Sequence, residues 1–357
     1  MRTDFVVLMV LLLLGGCDQS VPEQKGFAGM GNQAQAFTPV VPGRVFSFPA
    51  DHGVHEGFRI EWWYVTANLK DPQGNDFGVQ WTLFRSALKP VPVPEQAGWG
   101  SQTIWLGHAA VTSATAHHAA ERYARGGVGQ AGVRLAPFEA WIDDWQFSSQ
   151  AVDALTDLQL SARDRSFAYQ LHLTSSRPLV LQGDKGFSQK SEQGQASYYY
   201  SQPFFQATGT LQIDGKTYNV SGPAWLDREW SSQPLTASQT GWDWFSLHLD
   251  SGEHLMLYRM RQKEGAPYLT GTWIGSDGQT QTLHSEQIKL VPQDTAKVAG
   301  RAMPVRWTIS IPDKHLDISL SALNSNAWMD LRIPYWEGPV RVSGSHGGKG
   351  YLEMTGY

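Results

Sequence analysis

Cysteine is nearly absent: the 357-residue chain has one, Cys17. Without a second thiol, neither an intrachain disulfide nor a thiolate zinc site can form. Charge is sparse as well, at 17% Asp, Glu, Lys and Arg, against roughly 25% in an average soluble protein. The 28 basic and 33 acidic residues leave a net charge of −5, so the electrostatic footprint of a nucleic-acid binder is missing. No Gly-x-x-x-x-Gly-Lys-Ser/Thr loop cradles phosphate, and no Gly-x-Ser-x-Gly elbow presents a serine nucleophile. Apolar residues make up 41%, which fills a core and argues against disorder. What the chain has in quantity is aromatic: 15 Trp, 12 Tyr and 15 Phe beside 36 Gly. That mixture suits aromatic-rich strands joined by glycine turns.

The apolar run from Phe5 to Leu14 follows Arg2 and precedes Gly15, Gly16 and Cys17. It has the length of a signal-peptide core and falls short of the ~20 residues of a membrane-spanning helix. Leu14-Gly15-Gly16-Cys17 resembles a bacterial lipobox, which implies a leader over 1–17 and acylation of Cys17. Several acyl chains on one residue anchor a protein firmly, where a single chain binds only marginally. The expected location is the bacterial cell envelope, facing the periplasm, with Asp18 favouring the inner membrane. Residues 18–43, rich in Gln, Gly, Ala and Pro, read as a flexible tether.

Beyond residue 44 helical periodicity is scarce, and short aromatic or β-branched runs alternate with Gly, Asp and Pro. Ile60–Leu69 and Phe77–Leu88 flank a turn-rich stretch and predict a hairpin. Similar pairs flank Asp214-Gly215-Lys216 and Asp250-Ser251-Gly252-Glu253. Further strands are expected at 272–274, 307–311 and 315–320. About eighteen strands with tight turns indicate an all-β, antiparallel sandwich or barrel architecture in two units. Residues 90–100 and 114–132 read as long loops, the second with an allowance for a short helix.

Three segments are distinctive. The first runs from Asp51 through Glu61-Trp62-Trp63-Tyr64 to Thr66. The second contains Trp225-Leu226-Asp227-Arg228-Glu229-Trp230 and continues to Gly241-Trp242-Asp243-Trp244-Phe245. The third joins Trp336-Glu337-Gly338-Pro339 to the closing Gly350–Tyr357 stretch. Together with Tyr198-Tyr199-Tyr200, they resemble the AttH family, related to carotenoid 1,2-hydratases and described as predicted secreted hydrolases. The resemblance spans roughly residues 44–357. It implies two consecutive lipocalin-like (calycin) barrels packed together, with an N-terminal unit over 44–221 and a C-terminal unit over 222–357. It also implies ABC-type export components as partners. At Asp227 and Trp230 the chain matches the hydratase pattern Gly-x-x-Tyr-x-Asp-x-Asn-Trp. It departs from that pattern at Trp225 and Glu229, and upstream it carries Tyr198 and Tyr200 where the hydratases have His and Trp.

Side chains alternate along an extended strand, so Trp225, Asp227 and Glu229 share one face and Leu226, Arg228 and Trp230 the other. Two carboxyls beside an indole in an apolar pocket cannot both ionise cheaply. Hydration of a carbon–carbon double bond uses such a pair, one acid protonating the alkene and one carboxylate preparing water. The alternative is structural: Asp227 and Glu229 pair with Arg228, Arg59 or Arg85. Glu61 has the same two readings, an ion pair with Arg59 or a place in the pocket wall. Trp62, Tyr64, Trp242 and Trp244 either pack a core or frame a cavity. His52 and His55 lack a third ligand, and His117-His118 reads as a solvated loop pair, so neither metal nor cofactor is expected. Two functions stand side by side. One is a carrier that binds a hydrophobic small molecule, lipid or polyene-like, in a lipocalin-type cavity. The other is a hydratase or cyclase with Asp227 and Glu229 as its acids and Trp230, Tyr198 and Tyr200 among its ligand contacts.

Overall fold

The computed structural model describes residues 37–90, 100–150, 155–233, 235–236 and 238–357. Cys17, the leader and most of the 18–43 tether lie outside the described residues, as does most of the loop expected at 90–100.

The first sheet begins with four long neighbours, β1 (Ile60–Lys70), β2 (Asp76–Ala87), β3 (Thr103–Ser113) and β4 (His117–Arg125). Five shorter strands follow: β5 (Ala131–Leu135), β6 (Phe138–Ile142), β7 (Trp145–Ser149), β8 (Asp157–Arg163) and β9 (Phe167–Thr174). After the brief β10 (Val180–Leu181) and β11 (Phe187–Gln189) come the two longest, β12 (Ala196–Ile213) and β13 (Lys216–Ser231). The hydrogen-bonded order is β4-β3-β2-β1-β13-β12-β9-β8-β7-β6-β5, with β10 and β11 also on β12. β2, β3 and β4 pack against β6 from the far end of that order, so the sheet curls upon itself.

The second sheet uses β14 (Gln239–Leu249), β15 (His254–Gln262), β16 (Tyr268–Ile274), β17 (Thr280–His284) and β18 (Lys289–Pro292). β19 (Thr295–Val298) and β20 (Arg301–Pro304) form a separate hairpin. The sheet is completed by β21 (Arg306–Ile311), β22 (Leu316–Ala322), β23 (Trp328–Met329), β24 (Tyr335–Gly344) and β25 (Gly348–Met354). Its order is β17-β16-β15-β14-β25-β24-β22-β21-β18, with β23 on β24. Both sheets are antiparallel and curl into barrel-like units of the lipocalin type. The expected all-β class holds, with twenty-five strands rather than eighteen among the described residues. The additional ones are mostly two to five residues long, too short for a sequence period to register.

Turn chemistry explains the hairpins. Asp71 accepts the backbone N–H groups of Gln73 (3.0 Å) and Asn75 (2.8 Å), closing the β1–β2 turn. Asp214 and Gly215 both adopt positive φ, +49° and +76°, as a two-residue hairpin turn with the sheet's own twist requires. The stretch 114–132 corrects the reading as a loop or helix, because it contains β4 and the start of β5. In the sheet, Ala119 and Ala120 pair with Ala110 and Ala109 of β3, and Ala120 and Ala124 face the core. Small side chains let the far strands close over this wall: a Cβ on Gly107 would stand 2.7 Å from Ile142.

Alternation then sorts the residues. Trp63, Val65, Ala67 and Leu69 of β1 fill the first barrel with Trp81, Trp145, Phe147 and Leu226. Phe245, Leu247, Trp307, Ile309, Trp336 and Leu352 fill the second. The opposite faces meet each other, burying Tyr64, Tyr199 and Trp225 against Trp244, Met256, Tyr258 and Tyr351. Asn68 spans this seam by donating to the Gly350 carbonyl (2.8 Å). The division expected at 221/222 falls inside β13, which is hydrogen-bonded along its length to β1 and β12.

Candidate active site in the cleft between the barrels

Where the two sheets face each other a cavity of about 650 Å³ remains. Trp62, Tyr64 and Phe84 wall it from the first sheet, and Trp242, Trp244, Tyr258 and Met260 from the second. Leu88, Ile104 and Tyr123 line it while remaining exposed, which places them at its mouth. Four acids line this aromatic space: Glu61 from β1, Asp227 and Glu229 from β13, and Glu353 from β25. Side chains pack both barrel interiors, and this cavity lies between the two units.

Register positions each group. β13 alternates as its sequence predicts, and its partner β12 sets Tyr199 opposite Glu229 and Ser201 opposite Asp227. Residues directly opposite in an antiparallel pair share a face, so Ser197, Tyr199 and Ser201 join the acids. Across the seam Trp244 pairs with Glu353. Asp227 accepts at Oδ1 from Ser201 Oγ (2.5 Å) and Trp225 Nε1 (2.6 Å), and at Oδ2 from the Tyr199 hydroxyl (2.7 Å). Tyr199 in turn accepts from Trp244 Nε1 (3.2 Å). Glu353 accepts from Trp242 Nε1 (2.6 Å). Glu229 accepts from Ser197 Oγ and pairs with Lys190 Nζ (2.9 Å). The Lys190 ammonium also lies over the rings of Tyr199 (4.8 Å) and Tyr258 (4.6 Å).

Burial disfavours the charged form of a carboxyl, and here it dominates. Desolvation pushes Asp227 up to about 7 against the pull of its three donors, with the charge of Glu229 adding to the rise. Desolvation, reinforced by Glu229 and Asp227, likewise takes Glu353 to about 7. Behind them burial and Glu353 push Glu337 well above the carboxylate range, and Tyr64 donates to its Oε1. Asp227 and Glu353 therefore take up protons near neutral pH, while Glu229 is paired with the Lys190 ammonium.

Trp62, Tyr64, Trp242, Trp244 and Glu61 all border the cavity. Trp242 and Trp244 point into the cleft, while Asp243 and Phe245 between and beyond them face the second barrel. Trp225 stands behind Asp227 as its donor. Tyr198, Tyr200 and Trp230 lie on the reverse face, in a cluster with Val40 and Phe58, so the structure does not bring them to this cavity. Alternation sends the residue between the two tyrosines, Tyr199, to the cleft. The proposed pairing of Asp227 and Glu229 with Arg228 or Arg85 is also corrected. Those guanidiniums hold Glu61, at 2.9 Å for Arg85 Nη1, on the barrel side of the strand. His55 completes that group, touching both Glu61 (3.2 Å) and Asp51 (3.0 Å) and stacking on Trp230 at 3.8 Å. His52 bonds Tyr200 (2.6 Å). His117 and His118 sit on β4 rather than a loop, bonded to Thr112 (2.9 Å) and Asp214 (2.8 Å). Among the described residues no group of three or more His, Cys, Asp or Glu is placed to hold a metal ion.

Sequence reasoning missed Glu353, Lys190, Tyr199, Ser197 and Ser201. A glutamate inside the apolar Gly350–Met354 run was the one visible signal for Glu353. Lys190 stands just past the three-residue β11 and carried none.

Two curled antiparallel sheets with an acid-lined aromatic cleft between them define a two-barrel protein of lipocalin type. The AttH-like family model matches residues 39–357, and the chain belongs to that family. A crystal structure from Nitrosomonas europaea, described as an AttH, superposes with a TM-score of 0.79 at 33% identity, covering 90% of this chain and 100% of that one. Kievitone hydratase from Nectria haematococca shares the fold, with a TM-score of 0.66 at 16% identity over 89% of this chain and 95% of its own. No curated protein matches the sequence.

Proposed function

We propose that this protein adds water to a carbon–carbon double bond of an apolar small molecule held in the cleft. The observation that carries this reading is the meeting of Asp227, Glu229 and Glu353, drawn from both barrels, in one aromatic cavity. The Asp227–Glu353 pair supplies a proton to one alkene carbon. The positive charge left on the neighbouring carbon lies among indole and phenol faces, which attract cations. Glu229, held by Lys190, accepts a proton from water as its oxygen bonds to that carbon. Alkene and water give an alcohol, and solvent returns the exchanged proton between the carboxyls. Kinship with a hydratase fold agrees with this chemistry.

To test it, the chain from residue 18 onward is purified from its host and the small molecules it retains are incubated with it. The expected product is heavier by one water; a retained molecule that never changes leaves a carrier. The aromatic walls favour binding in either case.

The same reading anchors the protein in the cell envelope through Cys17, facing the periplasm beside export components of the ABC type. Cys17→Ala is then expected to move the protein from the membrane fraction to the soluble fraction and to abolish metabolic labelling with palmitate. Unchanged labelling would remove the anchor from the account.

A further inference from the structure

We propose that the cleft is a receptor for organic ammonium ions with apolar substituents, seated against Asp227 and Glu353 among Trp62, Trp242, Trp244 and Tyr258. The inference rests on the cleft being the substrate site, and it adds a ligand class to that site.

Three features converge. Asp227 and Glu353 accept hydrogen bonds from Ser201, Tyr199, Trp225 and Trp242, all of them neutral donors. Their negative charge is thus uncompensated by the described residues around it, and a proton takes the place that a cation could fill. Second, the walls are aromatic from both sheets, and ring faces bind cations most strongly where water is excluded. Third, the cleft already solvates one ammonium: Lys190 Nζ sits 2.9 Å from Glu229 and under 5 Å from the centres of two phenol rings. A second ammonium beside Glu353 would have the same surroundings, a carboxylate on one side and aromatic faces on the other.

The remaining charges facing the site do not oppose this at the floor. Lys190 is neutralised by Glu229, and Arg85 is held by Glu61. Arg59 and Arg332 line the cavity near its mouth, where Arg332 lies beside Glu121, whose carboxylate accepts its backbone N–H at 3.2 Å. Glu337 lies behind Glu353 and holds its proton. An ammonium ion also carries the positive charge of the cation formed when an alkene is protonated, so such a ligand should compete with the proposed substrate.

The test uses the purified chain from residue 18 onward and three probes: benzyltrimethylammonium, its neutral carbon isostere neopentylbenzene, and the anion benzenesulfonate. Tryptophan fluorescence and calorimetry report binding. Near pH 8.5 the ammonium is expected to bind about tenfold more tightly than the isostere, a difference of about 1.4 kcal/mol, within the range for desolvated cation–π contacts. Because the cation needs ionised carboxylates, its preference should fade as pH drops through about 7, the range in which Asp227 and Glu353 take up protons. Binding should release protons, as calorimetry in buffers of different ionisation heat would show. Glu353→Gln should remove the preference and leave binding of the neutral probe. Equal affinity for ammonium and isostere near pH 8.5, tighter binding of the anion, or no binding of any probe overturns the proposal. Ammonium preference without hydration of any alkene would sink the proposed reaction and leave this site standing.

Discussion

Asp227→Asn is expected to lower hydration by roughly 10²- to 10⁴-fold, the usual contribution of a positioned acid, while the protein folds and still binds its ligand. The substitution keeps shape and most of the hydrogen bonding. An amide oxygen can still accept from Ser201 and Trp225, and the amide nitrogen can donate to Tyr199 if that hydroxyl turns. Only the transferable proton is lost. Glu353→Gln should behave in the same way, since its amide oxygen still accepts from Trp242. The two acids influence each other, so their titration belongs to the pair and the losses should not add in the double variant. The pH profile has a defined sign. A proton donor must be protonated, so turnover should fall as pH rises through about 7. Near-normal turnover in both single variants would remove these carboxyls from the chemistry. Loss of folding in both would make them structural.

Glu61→Gln should have the largest effect on stability and little on chemistry. Glu61 is fully buried, as is Arg228, and Arg85 is nearly so. Burial works to raise the Glu61 pKa, but Arg228 and Arg85 overcome it and hold the carboxyl far below its usual range. Removing the one carboxylate leaves two guanidiniums buried without it, and breaking such a pair costs about 3–5 kcal/mol. For a protein whose net stability is about 5–15 kcal/mol, that is a large fraction, and thermal unfolding should show it directly. Exchanging all three members for apolar residues of similar volume should be far milder, because the desolvation of the charges is removed along with their attraction. A depressed carboxylate pKa stabilises above its unfolded value, and that stabilisation is lost as pH falls toward the folded value. Acid should therefore weaken the wild type below about pH 4.5 and Glu61→Gln much less.

Much of the fold was legible because strands write their period into the chain. Ile60–Lys70 and Asp76–Ala87 appear almost to the residue, with Asp71 and Gly74 marking the turn. Short strands such as Val180–Leu181 are set by pairing with β12, which no local pattern records. The alternation of Trp225, Asp227 and Glu229 on one face was readable, and so was their chemistry. Their environment was not. Whether Asp227 meets an arginine or a second barrel depends on register and on the packing of two sheets, both non-local. The choice of Tyr198 and Tyr200 over Tyr199 shows the same limit, because β12 alternates visibly but its face is fixed only by pairing with β13. Glu353 reaches the site from the opposite end of the chain, through the pairing of β25 with β14.

The central claim is that carboxyl protons of this cleft become carbon-bound while a water oxygen joins the adjacent carbon. Incubation of the retained unsaturated molecule in deuterated, oxygen-18-labelled water, followed by mass spectrometry and NMR, tests this most directly. The account predicts an alcohol with the heavy oxygen on one former alkene carbon and deuterium on its neighbour, formed by the wild type and not by Glu353→Gln or Asp227→Asn. Recovery of the molecule with its double bond intact and no label, after incubation with fully folded wild type, would contradict it.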